Sequence, residues 1–350
     1  MITDSVVMKS PTMRDVAKFA GVALGTVDRY INGTGRVSDE KSKRIQNAID
    51  ALNYIPNKAA SALSTKRIVN IGVVFPYVEI SFWQQIEKGI SRAEKEYEAY
   101  GLRVHPVRLK NYSVEQQSRA INELVSAGVQ GIAIAPVHDN NLNELIGKLA
   151  DDGIPVVTFD SDAPLSRRIC FVGVDDHKSG EAAAHMLAML LHEKGRIAVF
   201  RAQRDLYAVQ QRIAGFREKI AQYPEIYVAH EYDIYNGPGD FKENIERIID
   251  SRFPDDSIKG ILVTNGTVGT VASILRRKGL AGRYKIVGFD LADETKDLID
   301  DETISATICS DIEYQGYLAI SCLYEKIVHE KNPGQVCHHT GFQVIIKETL

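Results

Sequence analysis

Residues 12–33 read TMRDVAKFAGVALGTVDRYING. Thr12, with Asp15 three residues on, has the spacing of a capping box, in which each side chain accepts from the other's backbone N–H. The helix it opens runs to Phe19 or Ala20, and Gly21 supplies a turn. Residues 24–31 read as a second short helix with Val27, Tyr30 and Ile31 on its apolar side, and Asn32-Gly33-Thr34-Gly35 as a loop. Two short helices joined by a glycine turn fit a helix-turn-helix, whose second helix can enter the major groove of DNA. By spacing alone they also fit an ordinary helical hairpin.

Ser38 caps a third helix, with Asp39 and Glu40 in its first turn, where carboxylates suit the helix dipole. Ile45, Ala48, Ile49 and Leu52 recur at helical spacing and close a three-helix core. Pro56 interrupts, and Asn57 to Lys66 reads as a small separate segment.

From Ile68 the rhythm changes. Apolar runs at residues 71–75, 131–135, 154–159, 196–200, 260–264 and 285–289 alternate with amphipathic stretches. Nearly continuous apolar strands between helices indicate parallel sheets covered on both faces. About ten strands in that length predict two doubly wound α/β lobes, with ligands beyond the carboxyl ends of the strands. Tyr77, Asp160, Asn265 and Asp290 stand at those ends. The expected domains are a helix-turn-helix head over 10–56, a linker or hinge over 57–67, and a sensor of two α/β lobes over 68–350.

Charge divides along the same boundary. Residues 1–70 hold eleven Lys/Arg and six Asp/Glu, and the remainder thirty-one and forty, so a basic head precedes an acidic body. Only the head suits a polyanion. No apolar run reaches the ~20 residues of a membrane helix, and the first residues do not read as a secretory signal, so a cytoplasmic protein is expected. Cys170, Cys309, Cys322 and Cys337 are widely spaced and read as reduced thiols.

Residues 12–63 resemble the DNA-binding head of the lac repressor/galactose repressor family. Thr12-x-x-Asp15-Val16-Ala17-x-x-Ala20-Gly21-Val22, Thr26-Val27-x-Arg29 and Asn32 carry the likeness. So do Val37-Ser38, Leu52-Asn53-Tyr54-Ile55-Pro56-Asn57, Ala59-Ala60 and Leu63. Downstream, the α/β rhythm resembles the family's periplasmic-binding-protein-like sensor. The resemblance implies that Leu24, Gly25 and Arg29 face base edges, with Arg29 a bidentate donor to guanine. It implies that Thr12, Thr26, Asn32, Ser38, Tyr54 and Asn57 touch phosphates or order the contact. Residues 57–66 resemble the family's hinge helix, in which Ala60 allows close packing of two copies and Leu63 wedges into the minor groove. Ala23, Gly25 and Asp28 depart from the pattern. They weaken the recognition-helix cap, remove a reading side chain and put an anion near phosphate, so the operator sequence stays open.

In the sensor, Gln211-Arg212-Ile213-Ala214-Gly215-Phe216 matches the family's Arg-x-x-Gly-aromatic motif. The resemblance implies that Arg212 reaches ligand hydroxyls and that Gly215 lets its helix pack on the sheet. With Asp160, Asn265 and Asp290 it forms a set suited to a sugar. Tyr77, Phe82, Trp83 and Tyr235 are the candidate aromatic contacts. A purine or nucleoside sensor of the same architecture remains open, since Phe82 and Trp83 suit stacking on a base. A transport binding protein or an α/β enzyme fits less well. There is no G-x-G-x-x-G after a strand, no Walker loop and no G-x-S-x-G elbow. Asp175-Asp176 reads as a helix cap. Cys337-His338-His339 reads as no joint metal site, because neighbours on a strand point to opposite faces. No cofactor or metal is expected. The expected partners are an inverted-repeat DNA operator, a small carbohydrate effector, and a second copy in a homodimer or dimer of dimers.

Overall fold

The structure is a computed structural model that describes residues 11–32, 35–52, 54, 68–77, 80–202, 205–234, 241–253 and 257–350. The chain divides at Arg67–Ile68 into two compact units.

In the first unit, α1 (Met13–Ala20) opens on the capping box: Asp15 accepts from the Thr12 N–H at 2.8 Å, and Thr12 Oγ1 from the Asp15 N–H at 3.4 Å. It closes at Gly21, whose φ of +61° is a left-handed cap. Helix α2 spans Leu24–Asn32 and α3 spans Asp39–Leu52. Val16, Ala17, Ala20, Val27, Ile45, Ala48 and Tyr54 form the core between them. The Arg44 guanidinium donates to the Gly21 carbonyl at 3.0 Å and ties α3 to the turn.

Helix α2 starts from Ala23, whose carbonyl accepts from the Thr26 and Val27 N–H groups. Alanine offers no side-chain acceptor there. Ala23→Ser is expected to stabilise this unit by about 1 kcal/mol, read as slower amide exchange in α2. Unchanged exchange would show that the cap is not the weak point.

The second unit holds two six-stranded sheets. Its strands are β1 (Val69–Pro76), β2 (Leu102–Leu109), β3 (Gly131–Ile134), β4 (Val156–Phe159), β5 (Cys170–Gly173) and β6 (Lys194–Arg201). They continue with β7 (Glu225–Asp233), β8 (Ile258–Val263), β9 (Lys285–Phe289), β10 (Ala306–Ser310), β11 (Cys337–His339) and β12 (Phe342–Ile345). Helices follow as α4 (Ile80–Tyr97), α5 (Val114–Ser126), α6 (Asp139–Asp151), α7 (Asp176–Leu190) and α8 (Tyr207–Ile220). The remainder are α9 (Phe241–Arg252), α10 (Val268–Arg277), α11 (Asp293–Asp300) and α12 (Ile312–His329).

The sheets run β11-β5-β4-β3-β1-β2 and β12-β10-β9-β8-β6-β7. Every pairing is parallel except β10 with β12. The first five strands of each sheet follow the same order, so the lobes share one topology except at the edge, where β11 is parallel and β12 antiparallel to its neighbour. The chain passes between the copies after β5, returns after β10 and passes again at Gly341 before β12. The twelve strands among the described residues exceed the expected ten because β11 and β12, short edge strands near the end of the chain, carry no long apolar run.

Each lobe is pinned by one glycine-lined helix pair. A Cβ on Gly215 of α8 would lie 1.9 Å from the His177 carbonyl of α7, and one on Gly180 of α7 would lie 2.0 Å from the Arg212 carbonyl. In the other lobe, Gly89 of α4 and Gly316 of α12 meet the Glu313 and Ile86 carbonyls at 1.8 and 2.3 Å in the same sense. The expectation that Gly215 packs its helix on the sheet is corrected: it packs backbone against backbone with a neighbouring helix.

Candidate functional site

The head presents one face of α2. Leu24, Gly25 and Arg29 are exposed, and a Cβ on Gly25 would meet nothing within 4 Å. Arg29 folds back so that its Nε donates to the Gly25 carbonyl at 3.0 Å. Thr12 and Ser38 are exposed at helix starts, with the Thr12 hydroxyl already donating to Asp15 at 2.6 Å. Thr26 is largely buried, and Asn32 closes α2. Tyr54 is 6% exposed and its ring is part of the core, which suits ordering the contact, one of the two roles the resemblance implies for it. Asn57, Ala60 and Leu63 lie outside the described residues, as does Tyr235.

Facing strand ends build the second candidate site. Asp160 follows β4 and Asp290 follows β9, at equivalent places in the two lobes. Both take left-handed backbone, φ +61° and +67°. Their N–H groups donate to matching carbonyls, Val172 on β5 at 3.2 Å and Ile308 on β10 at 2.9 Å. Non-glycine residues seldom hold such a φ without being overdetermined by their surroundings, and they concentrate at functional sites.

Arg212 stands between them on α8. Its Nε donates to Asp176 at 2.7 Å and its Nη1 to the Thr264 carbonyl at 3.0 Å. Its guanidinium lies 4.5 Å above the Phe289 ring, a cation–π contact. Burial works against the Arg212 charge, but the Asp176, Asp290 and Asp160 carboxylates more than offset it and raise its pKa. Burial raises the pKa of Asp290 as well, opposed by Arg212 and by the Gly266 N–H. At Asp176, burial outweighs Arg212 and the carboxyl is pushed up to about 6.

From the sequence Asp176 reads only as part of a helix cap, and its pairing with Arg212 corrects that. The Asp175-Asp176 doublet divides its labour: Asp175 caps α7 by accepting from the Lys178 N–H at 3.1 Å, while Asp176 turns inward to Arg212. The glycine pair 180/215 was the available signal, because it forces α7 and α8 close enough for residues one turn earlier to meet.

Asn265 is buried, and its Oδ1 accepts from the Thr267 N–H at 3.1 Å and hydroxyl at 2.6 Å. Tyr77 is half-buried, with Arg108 over its ring at 5.6 Å. Phe82 is half-buried and meets Trp83 edge-on. Trp83 corrects its expected role as an open aromatic face. It is 1% exposed, with its ring stacked on Phe75 at 5.3 Å and edge-on to Phe159. Its indole N–H is buried without an acceptor. Between the lobes, the Ala208 N–H at the start of α8 donates to the Ser161 hydroxyl at 3.4 Å.

The pKa of Asp176 gives a testable sign. Its folded-state pKa lies above the ordinary carboxylate value, so the folded state holds the proton more tightly. The stability it contributes is complete below about pH 4 and is lost as pH rises through about 6. Relative to Asp176→Asn, the wild type should lose up to roughly 3 kcal/mol across that window. Denaturant midpoints of both proteins between pH 4 and 7 provide the check. Parallel profiles would mean that Asp176 does not titrate there.

The combination is a helix-turn-helix head followed by a two-lobed α/β body with polar groups gathered at its facing strand ends. Residues 12–57 match the model of bacterial regulatory proteins of the lacI family, and residues 71–331 match the periplasmic binding protein domain. The chain belongs, over most of its length, to the periplasmic binding protein domain family, and its head matches that of the lacI family. It is 30% identical over 212 residues to the HTH-type transcriptional regulator DegA of Bacillus subtilis, covering 60% of this chain and 61% of that one. It is 28% identical to catabolite control protein A of Staphylococcus epidermidis, covering 50% and 51%. The chain thus spans half to three-fifths of the length of these relatives. With the HTH-type transcriptional regulator CelR of Thermobifida fusca it shares 26% identity, covering 81% and 82%. Among solved structures, GanP, a glucose-galactose binding protein from Geobacillus stearothermophilus, superposes with a TM-score of 0.74. Identity there is 25%, covering 81% of this chain and 99% of that one. Among the described residues, no helix is long and apolar enough to cross a membrane.

Proposed function

We propose that this chain is a cytoplasmic, non-enzymatic transcription regulator that binds an operator through its head and a sugar between the lobes of its body. The observation that carries the reading is Arg212, buried and set among Asp160, Asp176 and Asp290 at the facing strand ends. Carboxylates accept from vicinal hydroxyls, and the guanidinium donates to ring or hydroxyl oxygens. The likeness to GanP, which binds glucose and galactose, supports the same ligand class.

Ligand held by both lobes favours their closed arrangement and shifts the population of states the heads report on. A two-fold homodimer presents two equivalent heads, and its operator is an approximate inverted repeat. A nucleoside effector is less well supported, since Phe75 already covers one face of Trp83.

A thermal-shift screen of monosaccharides against nucleosides tests the ligand class. A sugar at a hundred times its dissociation constant should add about 2.7 kcal/mol of apparent stability. A response confined to nucleosides would overturn the sugar assignment.

A further inference from the structure

Cys170, Cys322 and His338 come from three distant stretches of the sequence and meet at one edge of the first lobe. Their two sulfurs and an imidazole nitrogen all lie within 4.8 Å of one another. The sheet register explains the meeting. Strand β11 pairs with β5 so that His338 lies beside Val172, and Cys170, two residues upstream of Val172, shares that face. Helix α12 packs on the sheet and contributes Cys322. Cys337 pairs with Phe171 and takes the other face, where its sulfur lies 3.8 Å from Arg168. Adjacent residues of β11 therefore do point apart, as the sequence implied, but His338 finds two thiols from elsewhere in the chain.

Two features point to a ligand. The Nε2 of His338 is buried with no hydrogen-bond partner, an arrangement proteins seldom leave unanswered. Cys170 is fully buried, and its sulfur lies within 4.8 Å of the Cys322 sulfur, so both sulfurs already converge. Ligands about 2.3 Å from a tetrahedral zinc through sulfur and about 2.0 Å through nitrogen stand roughly 3.5–3.8 Å apart, which small side-chain shifts reach from here.

We propose that Cys170, Cys322 and His338 form a binding site for a thiophilic d10 cation, Zn2+ or Cu+. Two thiolates and one neutral imidazole suit either ion: zinc completes its tetrahedron with water, and copper(I) is satisfied by three donors. Binding releases the two thiol protons as the metal–sulfur bonds form. The cation cross-links β5, α12 and β11. His338 lies three residues before Gly341, where the chain crosses to the second lobe, so the link fixes the edge from which that crossing departs.

The test uses the reduced full chain. Zn2+ and Cu+ are each titrated against a chromophoric chelator, and Co2+ is added to report thiolate coordination through its charge-transfer absorption. Wild type should take up one equivalent of at least one of the two ions, and cobalt should give the sulfur band. Cys322→Ser and His338→Ala should each weaken binding at least tenfold, and Cys337→Ser, on the opposite face, should bind as wild type does. The bound ion should raise the unfolding temperature of wild type and Cys337→Ser only. Absence of stoichiometric binding, or equal binding by all four proteins, would overturn the site. So would peroxide-driven formation of a Cys170–Cys322 disulfide in a protein that binds neither ion.

Discussion

Arg212→Ala is expected to lower sugar affinity at least ~30-fold, about 2 kcal/mol or more. The guanidinium is held on three sides, by the Asp176 carboxylate, the Thr264 carbonyl and the Phe289 ring, and so is preorganised before ligand arrives. Truncation removes the donors and leaves the buried Asp176 carboxylate and its neighbours Asp160 and Asp290 without their cation, so ligand oxygens and protein groups both go unpaired. Arg212→Lys keeps the charge but not the planar fork. It should recover most of the stability lost in the alanine variant and much less of the affinity. Calorimetry with the sugar that emerges from the screen measures both variants. Wild-type affinity in Arg212→Ala would move the ligand out of this cleft.

Gly215→Val should be among the most destabilising single changes in the body, costing roughly 3 kcal/mol or more. A Cβ there falls 1.9 Å from the His177 carbonyl, a backbone atom that no rotamer change removes. Relief requires α7 and α8 to part, and that would also pull Asp176 away from Arg212. Sugar affinity should therefore fall along with stability, although Gly215 carries no ligand-binding group. The contrast is Gly147 of α6, where a Cβ meets nothing within 4 Å. Gly147→Ala should stabilise by about 0.5–1 kcal/mol through helix propensity alone. Denaturant midpoints of the two variants would discriminate. Equal effects would show that the helix pair can separate at little cost.

The head and the alternating strands were legible because local signals and tertiary structure agree there. Thr12 and Asp15 form the capping box their spacing announces, and the apolar runs at 71–75, 131–135, 196–200 and 285–289 all lie in buried strands. Asp160, Arg212 and Asp290 were legible through motif and strand end, and the electrostatics bring them into one neighbourhood. What the sequence hid depends on contacts between distant segments. Trp83 reads as a ligand platform by composition, but Phe75 and Phe159 close over it. Tyr54 reads as touching phosphate or ordering the contact, and only the packed structure shows that the three-helix core takes its ring. Asp176 resembles its neighbour Asp175 until Gly180 and Gly215 bring α8 alongside. Helix α12 lies late in the chain yet packs in the first lobe, a placement set by the two interlobe crossings. The meeting of Cys170, Cys322 and His338 needs the β5–β11 register, which no local pattern encodes.

The central claim is that a ligand held at Arg212 controls what the head does on DNA. The direct measurement is a titration of the full chain onto an operator selected from random duplexes, with and without the effector, for wild type and Arg212→Ala. Ligand-free affinities should be equal, the effector should change DNA affinity at least ~5-fold in wild type, and it should change nothing in the variant at the same concentration. A variant that responds like wild type, or a wild type whose DNA affinity ignores every ligand it binds, would contradict it.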